Sequence, residues 1–157
     1  MTRYPNLLEL HNYYPCGEPA VCDHAGIEPE LLLAVLDGEG LLEPAEIRGL
    51  ARLYGCPVGV LDYPKVIMLD MGRWKHRKMA AEVDSLYMQL KWMARTGNAE
   101  AEKYLGWADW KQQRFMRAAY SNKLSYGHYL GVKETLSQYV SFATPRPKRR
   151  GCKRQQV

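Results

Sequence analysis

The chain has 157 residues, 46% apolar and 25% charged, enough to bury a core in one or two small domains. It holds no run of 18 or more apolar residues and no charged-apolar-small leader, so a soluble cytoplasmic protein that does not span a membrane is expected. The net charge of +5 is uneven: residues 1–63 carry three basic and ten acidic side chains, residues 64–144 thirteen and seven, and residues 145–157 six and none, which points to different partners for the two halves or to contact between them.

In chain order, Asn6 with Glu9 three residues later reads as a capping box. A helix is therefore expected over residues 6–13, ended by Pro15 and Gly17, with Leu7, Leu8 and Leu10 on its buried face. Residues 18–61 then place Pro19, Pro29, Pro44 and Pro57 at short intervals, three of them directly after a glutamate. Proline is best tolerated at the first helical position, where its missing N–H costs nothing, so these prolines mark four short helices. The glutamates face the positive ends of the helix dipoles, and Glu46 stands where an N3 carboxylate reaches back to the cap. Gly26, Gly38, Gly40 and Gly55 close the helices at places where a left-handed cap is cheapest. Val21 and Ala25 share one face, Leu32, Val35 and Leu36 a second, and Ile47, Leu50, Ala51 and Tyr54 a third. Such short helices are not stable singly and must bury these stripes against each other.

This pattern resembles the lambda-repressor/Cro (Xre-type) helix-turn-helix domain. In that family a leucine-alanine pair leads to a glycine and a branched residue, then to a recognition helix, a glycine-containing turn, a second leucine-alanine helix ending in glycine, and a short fifth helix. Here those places hold Val21-Cys22, Gly26-Ile27, residues 29–36, Gly38, Leu50-Ala51 with Gly55, and residues 58–61. The resemblance covers residues 1–63 and implies a five-helix domain that reads base edges from the start of its recognition helix. The matching positions are Glu28, Pro29, Glu30, Leu31, Leu33 and Ala34. Carboxylates there face phosphates, which Lys or Arg normally engage, so plain major-groove reading is not expected of this edge.

Residues 64–72 form a linker, and its segment KVIMLDM is a short strand or an extended run. A helix is expected over residues 73–95, with Met79, Val83, Leu86, Tyr87, Leu90, Met93 and Ala94 on one stripe. Thr96-Gly97 stops it, and Asn98 caps a second helix to about residue 121, whose stripe is Ala101, Leu105, Ala108, Gln112, Phe115 and Ala119. A third helix over residues 125–143 offers Tyr129, Leu136, Tyr139, Val140 and Ala143. Residues 73–143 thus read as a basic helical hairpin or three-helix bundle. Residues 144–157 have almost no apolar surface and two prolines, so a disordered basic tail is expected and the whole fold is all-α.

Catalysis has no support in these residues. Gly38-Glu39-Gly40 is a lone turn rather than a phosphate loop, and no nucleophile stands beside a recognisable base. Cys22 and Cys56 are expected as small core residues and Cys16 in a loop; a zinc set of His11, Cys16, Cys22 and His24 has the wrong spacing. No cofactor or metal is expected.

Three patches carry functional expectations. Arg73, Trp74, Lys75, His76, Arg77 and Lys78 suit phosphate contact with stacking, although positive charge at a helix start needs an offset; the plainer reading is a solvated face. Trp107, Trp110, Arg114 and Arg117 recur on one helical face and are types enriched at partner-binding hot spots, while packing against the third helix explains them at least as well. Arg146, Lys148, Arg149 and Arg150 in the tail suit weak polyanion binding.

Two functions follow as expectations. The first is a helix-turn-helix DNA-binding transcriptional regulator from a phage or mobile element, acting by occupancy. Glu28, Glu30, Leu31 and Leu33 would lie in or near the groove, with Arg73, Lys75, Arg77, Lys78 and the tail on phosphates and the helical half dimerising or binding a partner. The alternative resembles certain anti-CRISPR proteins: an inhibitor whose acidic edge meets a nucleic-acid-binding protein and whose Trp107, Trp110 and Arg114 form a docking face.

Overall fold

The computed structural model describes residues 3–145 and is all-α, with a single antiparallel bridge between Met68 and Ser125 as the β pairing among these residues. The expected disordered tail beyond Pro145, with Arg146, Lys148, Arg149 and Arg150, lies outside the described residues. Five short helices come first: α1 (Pro5–Tyr13), α2 (Glu18–Ala25), α3 (Pro29–Leu36), α4 (Pro44–Tyr54) and α5 (Val58–Asp62). Three long ones follow: α6 (Trp74–Arg95), α7 (Ala99–Tyr120) and α8 (Tyr126–Ala143).

Local chemistry sets most of these boundaries. Pro29 and Pro44 are the first residues of α3 and α4, and the Glu46 carboxylate accepts the Glu43 N–H at 2.8 Å. Two prolines differ from expectation: Pro19 is the second residue of α2, and Pro57 is the cap of α5 rather than its first residue. Gly26 and Gly55 adopt φ of 69° and 67°, the left-handed conformation that a side chain would strain, and so terminate α2 and α4.

Asn6 is a clearer correction. It does not cap α1, whose N-cap residue Tyr4 is not a side-chain cap and instead accepts the Leu42 N–H on its hydroxyl at 3.0 Å; Asn6 lies fully buried inside the helix. Its Nδ2 donates to the Lys65 carbonyl at 2.8 Å and its Oδ1 accepts the Ile67 N–H at 2.7 Å. One side chain thus satisfies a donor and an acceptor of the segment that joins the two halves. Leu8 is also only half-buried, while Leu7 and Leu10 are fully buried.

The first core gathers Leu7, Leu10, Val21, Leu32, Val35, Leu50 and Leu61, with α2 packed on α3 and α4. Each such side chain contributes about 1.5–3 kcal/mol by burial, which is what holds helices too short to stand alone. Cys22 and Cys56 belong to this core, and Cys16 lies half-buried between α1 and α2. The second core joins α6, α7 and α8 through Val83, Leu90, Ala101, Ala108, Phe115 and Leu136. Asn98 caps α7 by accepting the Ala101 N–H at 2.9 Å, and its Nδ2 reaches the Ala143 carbonyl at the end of α8 at 2.6 Å.

The segment between α5 and α6 is packed. Leu69 is buried in the second core and donates its N–H to the Leu124 carbonyl at 2.8 Å, while the Ile67 carbonyl accepts from Tyr126 at 2.8 Å. The two halves also meet directly, because α1 lies against α8. A Cβ on Gly131 would fall 2.5 Å from the Tyr13 backbone, and one on Gly127 would fall 2.7 Å from Glu9 Cβ. That approach needs bare backbone on α8 at i and i+4. The one ion pair among the described residues, Lys133 to Glu82 at 3.5 Å, lies within the second half, so close packing rather than ion pairing brings the acidic and basic halves together.

Candidate functional site

The α3 edge is acidic and apolar. Glu28 caps the helix and Glu30 stands in its first turn, both exposed; Leu33 is 48% exposed, whereas Leu31 is half-buried against the first core. Leu32 and Val35 turn inward, and Glu30 and Leu33, each two residues before one of them and so on the other side of the helix, turn out.

The second half carries a different surface. All four tryptophans, Trp74, Trp92, Trp107 and Trp110, are 56% to 65% exposed. The expectation that Trp107 and Trp110 pack against the third long helix is therefore overturned. Val83 and Leu90 on α6, with Ala101, Ala108 and Phe115 on α7, already occupy the seams, and the tryptophans fall on the faces left over. Arg114 and Arg117 are exposed on the same side of α7, and the Arg114 guanidinium lies 4.9 Å from the Trp110 ring centroid.

At the start of α6, Arg73, Lys75, Arg77 and Lys78 are all exposed and Lys78 Nζ sits 5.3 Å from the Trp74 ring. The turn before the helix supplies the offset that this positive charge requires. The Arg77 guanidinium donates to the Met71 and Gly72 carbonyls at 3.3 and 3.4 Å, and the Asp70 carboxylate lies in the same turn, accepting the Gly72 N–H at 2.9 Å. His76 Nδ1 accepts the Asp70 N–H at 2.7 Å, so this ring faces the turn. Arg77 is thus partly committed to its own turn, leaving Arg73, Lys75 and Lys78 freer for a ligand.

Sequence reading passed over one further group. His128, near the start of α8, is 7% exposed, its ring stacked on Tyr13 of α1 at 3.9 Å and set edge-on to Phe115 of α7 at 5.8 Å. Burial, then the cations Arg114 and Lys111, push its pKa down to about 4, so the imidazole is neutral at pH 7. Gly127 and Gly131 beside it were the one legible sign that another helix comes close here. Among the described residues no group of His, Cys, Asp or Glu is arranged to hold a metal ion, and no helix is long and apolar enough to cross a membrane. No protein family, curated protein or solved structure matches this chain.

Proposed function

We propose that the chain is a DNA-binding regulator acting by occupancy, with a repressor-like helix-turn-helix frame in α1 to α5 and its phosphate grip on the basic second half. The observation that carries this reading is the exposed set Arg73, Lys75 and Lys78 around Trp74, cations with a ring to stack on. Glu28 and Glu30 on the α3 edge repel phosphate, so affinity has to come from elsewhere. Fluorescence anisotropy with labelled duplexes from the region around the chain's own gene tests it. Binding should fall steeply with salt, and Lys75→Glu with Lys78→Glu should weaken it at least tenfold. Salt-independent binding, or none, defeats the reading.

A second reading, a protein inhibitor, is favoured by the α3 edge itself, where the exposed carboxylates Glu28 and Glu30 precede the exposed Leu33 and Leu41 also projects. Such a surface suits a basic partner, one that ordinarily holds nucleic acid. Glu28→Lys with Glu30→Lys separates the two: it strengthens duplex binding in a regulator and abolishes partner capture in an inhibitor.

A further inference from the structure

Where α1, α7 and α8 converge there is a recess of about 300 Å3, and its walls come from both halves of the chain. Asn12 and Tyr13 stand on α1, Trp110, Lys111 and Arg114 on α7, and His128 on α8. Its charge is one-sided. Arg114 lies 4.9 Å and Lys111 Nζ 5.6 Å from the centroid of the same Trp110 ring, so one indole gathers two like charges. Neither belongs to the ion pair found among the described residues, and the charges acting on His128 are these two cations. The cations gain from the ring face but repel each other, and an anion between them would remove that repulsion.

The recess is also aromatic. Trp110 is more than half exposed, and the Tyr13–His128 stack contributes two rings whose planes lie 11° from parallel. A neutral imidazole adds one donor and one acceptor. The volume stands at the lower end of small-molecule sites, roughly 300–1,000 Å3. We infer that this recess binds a nucleoside monophosphate unit, its phosphate between Lys111 and Arg114 and its base against the aromatic rings. An arginine fork fits phosphate oxygens in two places, and every base offers a flat face to stack. The unit has two sources, a free nucleotide or the phosphorylated end of a single strand. The inference does not rest on duplex binding, since the residues at the start of α6 are a different set.

Isothermal titration of the full chain with AMP, a 5′-phosphorylated ten-nucleotide oligothymidylate, inorganic phosphate and adenosine tests it. AMP or the oligonucleotide should bind at least tenfold more tightly than inorganic phosphate or adenosine; tighter AMP identifies the free nucleotide, and a tighter oligonucleotide the strand end. Lys111→Glu with Arg114→Glu should remove at least tenfold of that affinity, and the milder Arg114→Gln several-fold. Lys103→Glu with Lys123→Glu, both exposed and outside the recess, and Lys75→Glu with Lys78→Glu should leave AMP binding within twofold. The inference is overturned if neither phosphorylated ligand binds better than inorganic phosphate, if the recess variants bind as the native chain does, or if the outside variants lose as much.

Discussion

The two halves of this chain solve the same packing problem in opposite ways. Residues 3–63 use five short helices whose large apolar side chains mostly turn inward, while residues 73–143 use three long helices that keep alanines in the seams and leave every tryptophan outside. A short helix has little surface to spare, because its stability comes from its neighbours. A long helix closes its seam with one stripe of small and large residues and leaves a whole face exposed. The difference puts the first half's large apolar residues in its core and the second half's tryptophans on its surface.

The sharpest way to break that contrast is to compare truncations. Leu50→Ala, at a fully buried position, should cost about 3–4 kcal/mol in urea unfolding, whereas Trp92→Ala, which removes a larger side chain from an exposed site, should stay within about 0.5 kcal/mol. A large loss at Trp92 would mean that the exposed aromatics are structural after all.

The contact between the halves comes next in size. Gly131→Val should lower stability by about 3 kcal/mol, because its Cβ meets Tyr13 backbone that cannot swing aside. Two unfolding transitions in place of one would show the halves uncoupled.

Acid should act at the same contact. His128 takes up a proton near pH 4 when folded and near 6.5 when unfolded, so the unfolded chain binds more protons in that interval. Its contribution is complete above pH 6.5 and is lost as the pH falls, by roughly 3 kcal/mol near pH 4. Urea midpoints measured from pH 7 to pH 4 check this, and His128→Gln should flatten the decline in that window.

A smaller loss than at Leu50 or Gly131 belongs to Asn6→Ala, which strips partners from the Lys65 carbonyl and the Ile67 N–H and should cost about 2 kcal/mol. Hydrogen exchange should quicken at Ile67 before it does in α4.

Asn6 also shows why local reading has a limit. Followed by Glu9 at the right interval, it has every mark of a cap, but the groups it satisfies lie 59 and 61 residues away. A polar side chain that can serve a nearby N–H can serve a distant one equally well, and spacing does not distinguish them. The alternative that Trp107 and Trp110 pack against the third long helix failed for a related reason: helical period says which side chains share a face, and says nothing of what covers it.

What the sequence determined by itself is therefore everything that acts over a turn or two: helix starts at Pro29 and Pro44, the Glu46 bond, the ends at Gly26 and Gly55, the cap Asn98, and the stripes that fill both cores. Only the tertiary structure decided that α1 of the acidic half lies on α8 of the basic half, that Asn6 ties the connecting segment, and that Tyr13, Trp110, Lys111, Arg114 and His128 share one recess. Those relations join residues far apart in the chain, 59 and 61 positions in the case of Asn6, and they exist only once packing has chosen which faces meet.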